Sequence, residues 1–267
     1  MPARLHHERI ARAGTTPSRS LLLTHGFFGA GSNWRGIARK VNEQRPDWSV
    51  VLVDLRQHGR SEPGEPPHTI AACAGDLCAL IGELGDIEVI AGHSFGGKVV
   101  LATRPSVTVR QTWVLDASPS VRPDGMNDPD NSAVRMLELM QRLPKIWPRR
   151  DEFVAAVVAE GHDTALAHWL AMNLIPDDGG FVLRLDLVAL REMLADYYAQ
   201  DLWSALAPGH GDVELVIADR ASTVSPADRA QLEHFAPHVH VHHVDAEHWL
   251  HIEAPAAVIE LFVKHLP

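Results

Sequence analysis

The sequence predicts an α/β fold: a mostly parallel, doubly wound sheet with a helical lid inserted after strand 6. Three observations predict it. Short continuous apolar runs alternate with stretches of helical spacing, the pattern of strands covered on both faces by crossover helices. Two of those runs end in glycine-rich turns. One long segment, from Ser118 to about Gly211, breaks the rhythm with almost no strand pattern.

Taken in order, Leu21-Leu22-Leu23-Thr24 is an apolar strand that stops at His25-Gly26. After Gly29 and Gly31 a helix-like stretch runs from Trp34 to Val41. Trp48 to Val53 is a second buried strand, ending at Asp54. Helical spacing returns from His68 to Leu84 (Ile70, Cys73, Leu77, Leu80, Ile81). Ile87 to Ala91 is a strand, followed by a glycine turn, a small-residue helix from Lys98 to Thr103 and strand Thr112 to Leu115. In the irregular segment, Pro119, Pro123, Gly125 and Pro129 open a loop, and Asn131-Ser132 suit an N-cap. Helices are expected after that cap and over Asp151–Gly161, Thr164–Asn173 and Leu185–Tyr198, with Phe181–Leu183 as a short strand and Asp177–Gly180 as a turn. Strands Val213–Ala218 and Val239–His242 and a closing helix from Ala256 to Leu266 complete the chain. The expected organisation is a core over 1–117, a lid over 118–211 and the rest of the core over 212–267. A helical excursion between two strands of such a sheet suggests a cover over the strand ends, where these sheets hold ligands.

Composition narrows the function. The 267 residues include 24 Lys+Arg against 34 Asp+Glu, a net charge of −10, which argues against a nucleic-acid binder or a basic membrane-surface binder. No apolar leader or 18-residue apolar window is present, so a cytoplasmic protein with no membrane partner is expected. The two cysteines, Cys73 and Cys78, form neither a disulfide framework nor a CxxC pair and are expected to pack on a helix. Histidine, at 17 residues, is the outlier.

The chemistry concentrates in Gly92-His93-Ser94-Phe95-Gly96, a G-x-S-x-G between a predicted strand and a predicted helix. A serine on that sharp turn presents its hydroxyl at the top of the sheet. The following helix N-terminus favours a developing oxyanion.

These residues carry a resemblance. His25-Gly26-Phe27-Phe28-Gly29, then Asp54-Leu55-Arg56-Gln57-His58-Gly59-Arg60-Ser61, then the Ser94 pentapeptide, and finally Ala246-Glu247-His248-Trp249 resemble the ordered landmarks of the α/β-hydrolase superfamily. The D-x-R-x-H-G-x-S form and the His-Trp pair are similar to a branch of small bacterial esterases with mitochondrial relatives. The resemblance implies Ser94 as nucleophile, His248 as base, and the backbone N–H groups of Phe27 and Phe95 as oxyanion donors. Most of that family carries the acid in the loop after the strand read here as Val213–Ala218; alignment there puts Ser222 at its position. Some branches carry it after the preceding strand, where Asp116 stands, so Asp116 is favoured and Asp219 is the alternative. Asp54 and Asp76 read as a turn residue and a solvated carboxylate.

The expected function is hydrolysis of carboxylic esters or thioesters of small, largely apolar acyl groups, with no cofactor. A same-fold lactonase, a cofactor-free perhydrolase and a non-catalytic small-molecule receptor are the alternatives. Phe28, His93, Met140, Trp169, Leu174 and Trp249 are the substrate-binding candidates, with Leu139, Trp147 and Met172 also on the expected inner face of the lid. His238, His240 and His242 share one face of a strand, a spacing able to hold zinc or nickel, but they read as a solvated face over buried valines, so no metal is expected.

Overall fold

The computed structural model describes residues 1–235 and 237–267. In chain order, strand β1 is His7–Ile10 and β2 is Arg19–Thr24; helix α1 is Arg35–Gln44; β3 is Trp48–Val53; α2 is Ile70–Leu84; β4 is Ile87–His93; α3 is Phe95–Thr103; and β5 is Gln111–Leu115. There follow α4 (Ser132–Arg142), β6 (Ile146–Trp147), α5 (Arg150–Ala159), α6 (Thr164–Leu170), β7 (Leu174–Asp177), β8 (Gly180–Leu183) and α7 (Leu187–Ala199). The chain closes with β9 (Asp212–Ala218), α8 (Pro226–Leu232), β10 (Val239–Val244), α9 (Leu250–Glu253) and α10 (Pro255–His265).

Among the described residues the main sheet has the order β1-β3-β2-β4-β5-β9-β10, and every pairing is parallel except β1 with β3. The apolar runs are continuous because both faces are covered. Leu22, Val51, Ile90, Val114 and Leu215 point into one core with α2, α3 and the insertion. Leu21, Val50, Val89, Trp113 and Val216 point into the other with α1 and α10. Side chains alternate between these cores because the strand period is two. Cys73 is buried on α2, and burial pushes its thiol up to about 12, so it is a packing residue.

Three elements escape the sequence pattern. The edge strand β1 is polar and partly exposed, as edges commonly are. Helix α8 starts at a capping box: Ser225 Oγ accepts from Asp228 N–H at 3.1 Å, and Asp228 returns the bond to Ser225 N–H at 2.9 Å. The insertion also contains a small sheet of order β6-β8-β7, so it is not purely helical. Strands of two and four residues give no readable periodicity, although the Asp178-Gly179 loop joining β7 to β8 matches the expected turn. The insertion follows β5, the fifth strand in the chain, rather than a sixth. No helix among the described residues is long and apolar enough to cross a membrane.

Two further readings are corrected. Asp76 is not solvated: it is 1% exposed, pairs with the buried Arg56 at 2.6 Å and accepts Ala3 N–H at 2.6 Å. On β10 the valines are not uniformly inside, since Val241 is 38% exposed while His242 is half-buried against Glu214. β10 is an edge strand, and what lies against its histidine face is β9 and the end of α10, so imidazoles rather than valines gain partners there.

Candidate active site

The site lies beyond the C-terminal ends of β4, β5 and β9. Ser94 stands between β4 and α3 with φ 53 and ψ −115, a strained geometry for a residue with a side chain. Its N–H donates to Leu115 O at 2.9 Å, which locks the turn to β5. The turn is this tight because strand and helix touch at Gly92 and Gly96; a Cβ on Gly92 would collide with the Gly96 carbonyl.

Asp116 directly follows β5, fully buried, with φ 46. Its N–H donates to Val216 O at 2.7 Å, and its Oδ1 accepts Ala218 N–H at 3.1 Å. His248 arrives on the loop after β10. Its Nε2 is 2.8 Å from Ser94 Oγ and its Nδ1 is 2.6 Å from Asp116 Oδ2, with Thr223 Oγ1 at 3.1 Å from the same Nδ1. A carboxylate oxygen accepts, so Nδ1 carries the hydrogen and Nε2 is free to take the serine proton. Asp219, the alternative acid, instead bonds His243 at 2.7 Å and is exposed. It sits one residue past β9, on the side of that strand facing β10.

Buried neutral imidazoles hold the surrounding loops. His93 Nε2 donates to His248 O at 2.8 Å, and burial drives its pKa well down. His58 Nδ1 donates to Arg56 O at 2.9 Å while its Nε2 accepts Phe28 N–H at 3.3 Å; burial pushes its pKa down to about 3. His25 makes the matching bridge, accepting Leu55 N–H at 3.0 Å, and burial lowers it too. These rings tie the loop after β2, which bears Phe27, to the loop after β3. Among the described residues the non-glycine residues with positive φ are Phe28, Gln57, Ser94 and Asp116, all on these loops and turns.

A cavity of about 320 Å³ opens onto Ser94 and His248. Phe27 and Phe95 border it, which places both expected oxyanion residues beside the serine. The opposite wall comes from the insertion: Arg122, Asp128, Asn131, Tyr197 and Tyr198. Asn131 is the expected cap of α4, and its Nδ2 also donates to Tyr198 Oη at 2.7 Å. Arg122 pairs with Asp128 at 3.1 Å and lies over the Tyr198 ring. Beneath this wall the buried Lys98 Nζ donates to Ser120 O, Tyr197 O and Gln200 O, each at 2.8 Å. Burial lowers that ammonium to about 8.

None of the six substrate-binding candidates lines this cavity. Met140 and Leu174 are core residues at 1% and 0% exposure, and Leu139 and Trp147 are buried as well. The helical faces that carry them pack inward on the insertion itself, where apolar side chains lose the most water contact. Phe28, Trp169 and Met172 border a separate cavity of about 190 Å³. His93 lies behind His248, and Trp249 packs edge-on against Trp169 at 4.7 Å, joining the histidine loop to the insertion. Sequence reasoning missed Thr223, Arg122, Tyr197, Tyr198 and Lys98. The adjacent pair Tyr197-Tyr198, the only tyrosines in the chain, was the available signal.

Comparison with known proteins agrees with this architecture. The sn-1-specific diacylglycerol lipase ABHD11 of Danio rerio is 27% identical over 261 residues, covering 95% of this chain and 80% of that protein. Esterase YbfF of Escherichia coli is 24% identical over 251 residues, covering 92% of each. The solved structure of a marine microorganism esterase superposes with a TM-score of 0.82 at 20% identity, covering 97% of each chain, and shows a shared fold. The model of the alpha/beta hydrolase family matches residues 21–261, and the chain belongs to that family.

Proposed function

We propose that this chain is a serine hydrolase that cleaves carboxylic esters or thioesters of small, largely apolar acyl groups through an acyl-enzyme. The observation that carries the reading is the hydrogen-bonded series Ser94–His248–Asp116 at 2.8 and 2.6 Å, on a strained elbow that opens into a cavity. Ser94 Oγ attacks the carbonyl carbon while His248 Nε2 takes its proton. The oxyanion forms against the N–H groups of Phe27 and Phe95, at the start of α3. Collapse breaks the bond to the alcohol or thiol, which leaves with the proton from His248. Water, deprotonated by the same nitrogen, then releases the acid. Asp116 keeps the imidazole in the required tautomer and stabilises its charge. The rings of Phe27, Phe95 and Tyr197 suit an apolar acyl group. The polar rim at Arg122 and Asp128 suits the leaving group. The segment 118–211 acts as the lid of a single fold in this reading; the esterase and lipase names of the relatives support the hydrolase assignment.

The test is Ser94→Ala. Turnover of a short p-nitrophenyl ester is expected to fall by about 10⁴-fold or more, and a fluorophosphonate probe is expected to label the wild type and not the variant. Undiminished turnover, or a wild-type serine inert to the probe, overturns the proposal.

A further inference from the structure

Glu214 stands on β9 with 2% exposure, a carboxylate that the mechanism does not use. Its Oε2 is 2.5 Å from His242 Nε2 and its Oε1 is 2.9 Å from His240 Nδ1, both on β10. His265, the last residue of α10, brings a third donor: ligand atoms of Glu214, His242 and His265 all lie within 4.8 Å of one another. The surroundings orient this group. Gln111 Nε2 donates to Glu214 Oε1 at 2.8 Å and to His265 O at 3.0 Å, and its own Oε1 accepts Trp113 Nε1–H at 2.7 Å. Trp113 also stacks on His242, with planes 10° apart. Oε1 is thus held by the Gln111 amide and by His240, while Oε2 faces His242.

We propose that Glu214, His242 and His265 form a binding site for a divalent transition metal, zinc or nickel, separate from the catalytic triad. One carboxylate oxygen and two neutral imidazole nitrogens are a three-ligand set that such ions favour, with the fourth position taken by water. Ligand bonds of about 2.0–2.2 Å set ligand atoms roughly 3.3–3.6 Å apart around a tetrahedral ion, so the ion replaces the hydrogen of the 2.5 Å Glu214–His242 bond, that pair opens by about 1 Å, and the wider separations, all within 4.8 Å, close by up to about as much. Two imidazoles and one carboxylate offer too few oxygens for calcium. The hydrogen bonds from Gln111 are the outer contacts that commonly hold a ligating carboxylate in place. Glu214 lies four residues before Ala218, which meets Asp116, so the metal sits about 13 Å down the strand from the triad. Bound there, it ties β9, β10 and the end of α10 together and leaves the chemistry at Ser94 untouched. The site comprises only one of the three histidines singled out in the sequence, joined by partners from two other elements.

The experiment uses full-length protein without a polyhistidine tag, stripped with chelator and titrated with Zn²⁺ by calorimetry, with Ca²⁺ as control. One equivalent of Zn²⁺ is expected to bind and raise the Tm, while Ca²⁺ does neither. His265→Gln, at the chain's end, is expected to weaken binding at least about tenfold, and Gln111→Leu, which keeps all three ligands, about tenfold. Ester turnover is expected to be unchanged by one equivalent of Zn²⁺ in wild type and His265→Gln alike. The proposal is overturned by no saturable uptake, by unchanged affinity in His265→Gln, or by uptake that inhibits turnover and is lost in His248→Gln instead. Because no arm depends on the Ser94 chemistry except as a control, its failure is distinguishable from failure of the proposed hydrolase function.

Discussion

Two walls face each other across the cavity at Ser94, and they are built differently. On the sheet side, Ser94, Asp116 and the loop carrying Phe27 hang on backbone turns at strand ends, fixed by ladder hydrogen bonds and positive φ. On the insertion side, Asn131, Tyr197 and Tyr198 are placed by side-chain bonds and by a single buried ammonium, Lys98, that gathers carbonyls from both ends of the insertion. The first wall is specified by backbone geometry at adjoining strand ends, locked by ladder-type backbone bonds. The second is specified by which side chains of the insertion and of α3 meet. Damage to the first wall is therefore expected in chemistry, and damage to the second in stability and substrate fit.

The largest effect sharpens the first half of that contrast. Asp116→Asn, which keeps shape but reverses the tautomer preference of His248, is expected to lower kcat by about 10⁴-fold, while Asp219→Asn changes it little. Steady-state kinetics on the same ester decides it, and the reverse ranking would move the acid to the loop after β9. The next effect probes the opposite wall. Lys98→Met strands the carbonyls of Ser120, Tyr197 and Gln200, which the buried ammonium gathers, and is expected to cost about 3 kcal/mol in denaturant unfolding. A neutral result would show that the insertion is held by its apolar contacts alone.

Smallest for any one histidine and one pH unit is the effect at the histidine bridges. His25, His58 and His93 are each 1% exposed, with pKa values lowered by burial, His58 to about 3. The unfolded chain then binds more protons than the native one as pH drops below about 6.5, so stability falls with falling pH. For each histidine the slope approaches about 1.4 kcal/mol per pH unit down to its folded value. Above about pH 7 both states are neutral at these rings, and they contribute no slope. Urea midpoints between pH 4 and 8 check this; a flat profile would mean the rings take up protons without opening the loops.

The sheet was legible because continuous apolar runs need two covered faces, and the elbow because G-x-S-x-G occurred between a strand and a helix. Asp116 was legible as the favoured partner of His248, with Asp219 left open as the alternative. The choice over Asp219 depends on which side of β9 each carboxylate falls, and Asp219 turns toward His243 on β10. The candidates Met140 and Leu174 failed for a related reason. Apolar residues on an amphipathic helix mark a buried face without telling whether it packs on a cavity or on its own layer.

The amino-acid sequence by itself determined the strand runs and the tight turn at Gly92–Gly96, because each is a local property of backbone sterics and spacing; Ser94 and His248 were named as proposed nucleophile and base by the resemblance of the motifs around them. Only the tertiary structure decided which acid meets the base, which insertion residues face the serine, and that Glu214, His242 and His265 converge. Those are meetings of side chains 23 to 132 residues apart, and local patterning carries no information about the partner on the other side of a contact.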